Sequence, residues 1–157
     1  MLVPLIEHAG EESVLLTKRP QSLARYAGHV SFPGGARDPS DRSLAETALR
    51  ETHEEVGIPP DRIEILREID WQESALRHRV KPFIGRIRGP CALQPDPREV
   101  ERILFLPVAM ITRDLFRVRG AWTDSRGRER TTWTFDLDGF EVWGLTARIL
   151  REVFAGP

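Results

Sequence analysis

Residues 34–58 have the sequence GGARDPSDRSLAETALRETHEEVGI, which contains one helix with a clear beginning and end. Ser43 is a typical N-cap residue, and Glu46 three residues later completes the pattern of a capping box. Gly57 can adopt the left-handed conformation that ends a helix, and two prolines close behind it prevent continuation. The sequence therefore predicts a helix over residues 43–56.

The side chains of this helix separate onto two faces at about 100° per residue. The residues expected to pack on a sheet are Ala45, Ala48, Leu49, Thr52 and Val56. Glu51, Glu54 and Glu55 form a neighbouring acidic patch, because residues three or four apart lie close together on a helix. A hard divalent cation such as Mg²⁺, which binds carboxylate oxygens, would relieve their mutual repulsion. A solvated acidic face without a metal is the alternative interpretation.

The surroundings of the acidic patch favour the metal hypothesis. Gly34 and Gly35 bring bare backbone close to the start of the helix, where a carbonyl can join a metal shell and amides can face phosphate. Arg50 stands next to Glu51 and can orient a catalytic carboxylate through a bidentate pair. A site for a metal ion and a phosphate therefore explains these residues better than a solvated face.

The rest of the chain is mostly strand-like, with one further helix. A helix is predicted over residues 143–154, because Leu145, Ile149, Leu150 and Val153 fall on one side. The predicted strands are residues 1–8, 13–18, 30–32, 62–71, 80–88 and 100–107, with 133–135 as a weaker candidate. Strands combined with two well-separated helices indicate a mixed sheet packed between helices, an α/β architecture.

Two segments resemble a known family. Residues 50–58, RETHEEVGI, resemble the second half of the Nudix box, and residues 32–35, FPGG, resemble its glycine-rich opening. The resemblance implies a Nudix-type α/β/α sandwich with a mixed sheet between helices. It also implies metal-dependent hydrolysis of a nucleoside diphosphate linked to another group.

We therefore hypothesise that Glu51, Glu54 and Glu55, with the carbonyl of Gly35, bind one or more Mg²⁺ or Mn²⁺ ions. The residues predicted to take part in catalysis are Arg50, Glu51, Glu54 and Glu99. Glu51 or Glu54 within the box, or Glu99 outside it, could accept a proton from the attacking water. For the acid outside the box, Glu101 is the alternative to Glu99, and a solvated loop carboxylate is an equal alternative.

The segment before the box indicates which substrate is hydrolysed. Residues 15–19, LLTKR, and the residues that follow them as far as FPGG are similar to the motif that precedes the box in coenzyme A (CoA) pyrophosphatases, although His29 stands where glutamine is frequent. CoA carries a 3′-phosphate besides its diphosphate, and arginine and lysine bind phosphate. Lys18, Arg19 and Arg25, together with Gly34, are therefore the predicted substrate-binding residues. Ordinary surface charge is the alternative for Arg19 and Arg25.

The box itself departs from the general Nudix pattern in a way that favours the same subfamily. Asp41 stands where the general pattern has glutamate, and the gap from Asp41 to Arg50 is one residue longer. An insertion with an aspartate-rich loop, here residues 37–41, resembles the version of the box found in CoA-directed members.

The predicted function is metal-dependent cleavage of the diphosphate of CoA or an acyl-CoA. The products would be 4′-phosphopantetheine, or its acyl form, and adenosine 3′,5′-bisphosphate. The alternatives are hydrolysis of another nucleoside diphosphate derivative, such as ADP-ribose, NADH, a dinucleoside polyphosphate or an oxidised nucleotide, and a non-catalytic nucleotide-sensing Nudix domain.

Composition sets the remaining expectations. A chain of 157 residues fits a single domain, 1–157, although an N-terminal extension that this sequence lacks remains open. The net charge of −1 gives no general attraction to nucleic acid, and no apolar run approaches the roughly 20 residues that span a bilayer. Cys91 is the only cysteine, which fits a reducing compartment. We expect a cytoplasmic monomer or homodimer with a small-molecule substrate.

Overall fold

The computed structural model describes residues 1–24 and 26–156. In chain order, its strands and helices are β1 (Leu2–His8), β2 (Glu11–Lys18), β3 (Val30–Ser31), α1 (Leu44–Val56), β4 (Ile63–Glu68), β5 (Gln72–Glu73), β6 (Arg79–Val80), β7 (Phe83–Ile87), β8 (Arg102–Pro107), β9 (Arg117–Thr123), β10 (Glu129–Leu137), β11 (Phe140–Trp143) and α2 (Leu145–Phe154). Single 3₁₀ turns lie at Pro60–Arg62, Val108–Met110 and Arg113–Leu115.

The main sheet has six strands and is mixed. Its order is β3-β2-β1-β7-β4, and β8 pairs with β2. The pairing of β1 with β7 is parallel, whereas the other pairs are antiparallel. Strand β2 is central: its first half pairs with β1 and its last two residues with β3, so the chain leaves the sheet through β3 directly into Phe32-Pro33-Gly34-Gly35.

Two smaller sheets lie beside the main one. Strands β9, β10 and β11 form a three-stranded antiparallel sheet, and β5 and β6 form a two-stranded one. The side chain of Thr146 on α2 donates a hydrogen bond of 3.2 Å to the carbonyl of Val30, which ties the start of α2 to β3.

The two helices bury their apolar faces in separate clusters. Helix α1 contributes Ala48 and Val56 to a cluster with Leu2 and Leu15 of the main sheet. Helix α2 contributes Ile149 and Leu150 to a second cluster with Val3 and Leu16 among others. Because successive residues of a strand point to opposite faces, these clusters lie on opposite sides of the sheet. The predicted α/β/α sandwich is confirmed.

Helix α1 has the predicted bounds, and its caps explain them. The Ser43 side chain accepts a hydrogen bond from the Glu46 N–H at 3.1 Å, and Gly57 adopts φ 77° with its N–H bonded to the His53 carbonyl. The capping box is only half formed, because the Glu46 carboxylate binds the N–H of Arg42 instead of that of Ser43. The Arg42 guanidinium also forms an ion pair with Glu46, so both contacts of this carboxylate are with the residue that precedes the N-cap.

Other element boundaries differ from the predictions. The second helix begins at Leu145 and not at Trp143, because Trp143 pairs with Thr134 as the last residue of β11 and Gly144 turns the chain at φ 67°. Strand β10 is nine residues long instead of the predicted three. Within residues 1–24 and 26–156, none of the helices has the length and apolar character needed to cross a membrane.

Candidate active site

Glu55 is the most unusual carboxylate of α1, because its side chain is buried against the glycine pair. It is 4% exposed and accepts one hydrogen bond of 3.0 Å from the Gly34 N–H. Burial is the main cause that raises the pKa of Glu55 to about 7, and the negative charges of Glu99 and Glu51 act in the same direction. The Gly34 N–H and the positive charge of Arg19 oppose the shift. Folding therefore places a carboxylate where its negative charge is poorly compensated.

Glu51 lies one turn before Glu55 and contacts Gly35. A Cβ added at Gly35 would lie 2.5 Å from the Glu51 carboxylate carbon and from both of its oxygens. The absence of a side chain at Gly35 is thus what admits the carboxylate. Burial raises the pKa of Glu51, against the opposing effect of Arg50, and the charges of Glu54 and Glu99 raise it further.

Arg50 connects the acidic patch to the loop that precedes the helix. Its guanidinium forms a bidentate pair with Asp41, with both N–O distances at 3.0 Å. One further nitrogen donates to Glu51 at 3.0 Å and to Glu54 at 3.1 Å. The bidentate pair expected with a catalytic carboxylate is therefore made with Asp41, and Glu51 receives a single hydrogen bond.

The aspartate-rich loop is built around Asp41. Its carboxylate is 4% exposed and also accepts a hydrogen bond of 2.9 Å from the Asp38 N–H, while its carbonyl accepts two from the Arg37 guanidinium. The Arg50 guanidinium and the Asp38 N–H hold the pKa of the Asp41 carboxyl far below its usual range. The loop thus fixes Arg50, which in turn positions Glu51 and Glu54.

Glu99 and Glu101 have different surroundings. The charge of Glu99 raises the pKa of both Glu51 and Glu55, so this carboxylate is close enough to act on the acidic patch. Glu101 instead pairs with the buried Lys18 at 2.6 Å. Of the two candidates, Glu99 is the one whose charge acts on the box acids, and Glu101 is paired with Lys18.

Among the predicted substrate-binding residues, Gly34 bonds directly to Glu55, and Arg19 is close enough for its charge to act on the acidic patch. The positive charge of Arg19 lowers the pKa of both Glu55 and His29. Its buried Nε has no hydrogen-bond partner in the part of the chain that the structure describes. Lys18 is held by Glu101, and the Gly34 N–H by Glu55. Arg25 lies outside the described residues.

The carboxylates fit a divalent cation by their chemistry, although they do not converge on one point. Glu51 and Glu55 are desolvated carboxylates with raised pKa values, and a cation would supply the missing positive charge. Over residues 1–24 and 26–156, no three acidic, histidine or cysteine side chains are grouped closely enough to hold a metal. Arg50 and the Gly34 N–H instead direct Glu51, Glu54 and Glu55 to separate positions.

Comparison with known proteins decides the family. The model of the NUDIX domain matches residues 1–123, which include all the residues of this site. The chain belongs to the Nudix hydrolase family. Members of this family hydrolyse phosphoanhydride bonds of nucleoside diphosphate derivatives and generally use divalent cations.

Relatives that match nearly the whole of this chain are Nudix hydrolases named without a substrate. The uncharacterized Nudix hydrolase NudL of Enterobacter sp. (strain 638) is 35% identical over 153 residues, and that of Cronobacter sakazakii is 36% identical. In both cases the match covers 98% of this chain and 79% of the relative. The alignment thus extends well beyond the Nudix box.

Solved structures agree on the fold. A Caenorhabditis elegans Ap4A hydrolase in a binary complex is 23% identical and superposes with a TM-score of 0.58 over 69% of this chain and 78% of that one. The NUDIX domain of Shewanella oneidensis NrtR, complexed with ADP ribose, is 27% identical with a TM-score of 0.52 over 69% of this chain and 70% of that one.

The Nudix box explains which site residues the sequence could locate. Glu51, Glu54, Glu55 and Gly35 were chosen from the pattern, and the structure brings Glu51 and Glu55 against the glycine pair. The role of Asp41 as the partner of Arg50 was missed, although its departure from the family's glutamate was a signal. Nothing in the sequence predicts the pairing of Lys18 with Glu101, because 83 residues separate them.

A conservative change at Arg50 tests whether its planar fork positions the acids. In Arg50→Lys a single ammonium group cannot keep the bidentate pair with Asp41 and also bind Glu51, so we expect kcat to fall roughly tenfold or more. The measurement is initial-rate kinetics at saturating metal. Arg42→Lys is the matched control. Arg42 lies just before α1 and forms an exposed ion pair with Glu46 of that helix. Equal rates for the two variants would contradict a positioning role.

Proposed function

We propose that this Nudix hydrolase cleaves the diphosphate of CoA or an acyl-CoA in a metal-dependent reaction. The products are 4′-phosphopantetheine, or its acyl form, and adenosine 3′,5′-bisphosphate. The observation that carries the proposal is the placement of Arg19. This residue belongs to the segment that resembles the CoA pyrophosphatase motif, its positive charge acts on Glu55, and its buried Nε lacks a hydrogen-bond partner in the described chain.

The cation would be Mg²⁺ or Mn²⁺, held by Glu51, Glu54 and Glu55 with the carbonyl of Gly35. When bound, such a cation neutralises diphosphate oxygens and lowers the pKa of water. Arg50 hydrogen-bonds Glu51 and Glu54, and the Gly34 N–H hydrogen-bonds Glu55. Each of the three proposed carboxylate ligands therefore has a contact within the chain that restrains it.

Glu99 is the proposed general base. It lies outside α1, its charge acts on Glu51 and Glu55, and its carboxylate accepts a proton from the water molecule that attacks phosphorus. Arg19 donates hydrogen bonds to the diphosphate and stabilises the negative charge of the leaving phosphate. Glu101 is less suited to the role of base, because its carboxylate is paired with Lys18.

Another nucleoside diphosphate derivative is the second candidate. The NrtR domain, 27% identical to this chain, is complexed with ADP ribose, which shares a diphosphate between two organic groups with CoA. A diphosphate alone would accept hydrogen bonds from Arg19 and would bind the cation held by the acidic patch. The distinction therefore depends on the groups at either end of the substrate.

The test is an initial-rate panel with Mg²⁺ and Mn²⁺ and product identification by mass. The substrates are CoA, acetyl-CoA, ADP-ribose, NADH, a dinucleoside tetraphosphate and 8-oxo-dGTP. We expect release of phosphopantetheine from CoA at the highest kcat/KM, and a decrease of about tenfold in Arg19→Ala. Arg62→Ala is the control, because Arg62 is exposed on the 3₁₀ turn after α1. Preferred cleavage of ADP-ribose would overturn the CoA assignment, and nucleotide binding without any cleavage would overturn catalysis.

A further inference from the structure

A cavity lies away from the acidic patch, between α2, the β5–β6 hairpin and the turn between β9 and β10. Its volume is about 480 Å³, within the range of small-molecule sites. The β5–β6 hairpin and the turn between β9 and β10 form its walls with α2. Five arginines line it: Arg79, Arg126, Arg128, Arg130 and Arg148.

Four acids line this cavity with the five arginines: Asp70, Glu73, Asp124 and Glu152. Two of them, Asp124 and Glu73, are engaged by hydrogen bonds at the turn between β9 and β10. The Asp124 carboxylate accepts hydrogen bonds from the backbone N–H groups of Arg126 and Arg128 and from the side chains of Arg128 and Arg130. The Glu73 carboxylate accepts two hydrogen bonds from Ser125. Asp124 thus fixes the turn and occupies two of the arginines, and Glu73 secures the turn to the neighbouring hairpin.

The other three arginines are less well compensated. Arg79 and Arg126 are exposed, and neither forms an ion pair with an acid among residues 1–24 and 26–156. Arg148 is 8% exposed and donates one hydrogen bond of 2.6 Å to the Glu73 carbonyl, with the Glu152 carboxylate 4.0 Å away. Burial lowers the pKa of the Arg148 guanidinium, because its charge is desolvated with only a distant counter-charge. An anion in the cavity would compensate all three.

Two indole rings lie among these arginines. Arg79 lies over the ring of Trp71 at 4.7 Å, and Arg148 lies 5.6 Å from the ring centre of Trp122. Trp71 is 49% exposed. Nucleobases stack on such aromatic faces, and arginine forks bind phosphate. The combination fits a ligand that carries both a planar base and a phosphate.

We propose that this cavity binds a phosphate-bearing nucleotide, with Arg79, Arg126 and Arg148 on the phosphate and the indoles against the base. The ligand has two sources: the nucleotide half of the enzyme's own substrate, or a free nucleotide. The cavity is near enough for the first, because Thr146, two residues before Arg148, bonds to Val30 at 3.2 Å. Val30 is four residues from Gly34, a distance of at most about 14 Å along the chain.

Calorimetric titration of the protein in EDTA tests binding without turnover, so its outcome is independent of the proposed function. The probes are adenosine 3′,5′-bisphosphate and inorganic phosphate. We expect the bisphosphate to bind more tightly than phosphate, and its Kd to rise about tenfold or more in Arg79→Ala/Arg126→Ala. Both side chains are exposed, so the double variant should fold, and circular dichroism with a melting curve checks this.

Control variants make the result decisive. Arg62→Ala removes an exposed arginine that does not line the cavity, and it should leave Kd unchanged. An unchanged Kd in the folded double variant, or no binding to the wild-type protein, would overturn the proposal. Binding that is lost in Glu55→Gln but kept in the double variant would place the nucleotide at the acidic patch, which also overturns it.

Kinetics then separate the two sources, both of which are consistent with the proposal. If the cavity takes the substrate's own 3′-phosphate, the double variant raises KM for CoA about tenfold, leaves kcat unchanged, and leaves KM for dephospho-CoA unchanged. If the ligand is a free nucleotide, KM for CoA is unchanged although the titration shows the loss of affinity. A failure of CoA turnover in the wild-type protein affects only this last comparison.

Discussion

Glu55→Gln is expected to remove most turnover while making the metal-free protein more stable. The buried carboxylate is a proposed metal ligand, so its neutral replacement should lower kcat about a thousandfold. Its pKa in the folded protein is about 7, above the ordinary value of 4.5, because burial disfavours its charge. Removing that charge at pH 8 should therefore increase the free energy of unfolding by roughly 2–3 kcal/mol.

The pH dependence gives the sign of this effect. A carboxyl group whose pKa is raised on folding binds its proton more tightly in the folded state, so stability falls as pH rises from about 4.5 to about 7. Below that window the folded and unfolded states are both protonated, and the variant and wild type should differ little. Above it the variant should melt about 5 °C higher in EDTA, since part of the gain is lost in burying an amide.

Melting curves in EDTA at pH 4.5 and pH 8, with rates at saturating Mg²⁺, measure both effects. Glu54→Gln is the matched control for stability, because the Glu54 side chain is 53% exposed on the same helix. It should lose activity without melting higher at pH 8. A Glu55→Gln protein that melts lower than wild type at pH 8, or retains the wild-type rate, would contradict the role assigned to this carboxylate.

Sequence alone located α1 because every signal for it is local. The Ser43 cap, the Gly57 cap and the spacing of apolar residues lie within one short segment, and the structure places the helix at Leu44–Val56. The family pattern placed the glycine pair and the acids within the same segment. The local pattern did not reveal that Glu55 is buried, because burial depends on where β3 delivers Gly34.

The sheet formed by β9, β10 and β11 was largely not predicted from the sequence, because the signals that define it are not local. Most side chains of β9 are exposed, so its sequence RVRGAWT lacks the alternation of apolar and polar residues that marks a half-buried strand. Its place is set by pairing with β10, where the register shifts between Thr132 and Trp133. Pairing of this kind is a tertiary property and leaves little trace in composition.

Contacts between separate segments of the site are likewise tertiary and could not be predicted from the local sequence. Arg50 was predicted to hold an acid, but its bidentate partner is Asp41 in the loop before the helix. The Asp38 N–H and the Arg37 guanidinium donate hydrogen bonds to Asp41, so this loop closes on itself. The aspartate that stands where the general pattern has glutamate therefore has a structural consequence, which is to fix the arginine that positions Glu51.

Gly35→Ala is expected to lower activity about a hundredfold with little effect on stability. The added Cβ would lie 2.5 Å from the carbon and both oxygens of the Glu51 carboxylate, so the carboxylate must move. Glu51 is the end of a flexible side chain, and the backbone of Gly35 lies outside the positive-φ region. The fold can therefore accommodate alanine by displacing the group that the reaction requires.

Gly120→Ala is the matched control for this substitution. Gly120 lies in β9, also outside the positive-φ region, and a Cβ there meets no described heavy atom within 4 Å. Rates at saturating Mg²⁺ and melting curves should show a loss of kcat in Gly35→Ala alone, with similar melting temperatures for both variants.

Full activity in Gly35→Ala would mean that the position of Glu51 against Gly35 is not needed for turnover. A large drop in its melting temperature would instead mean that the contact stabilises the fold. The expected pattern, lost rate with kept stability, assigns the bare backbone at Gly35 to the placement of a catalytic carboxylate.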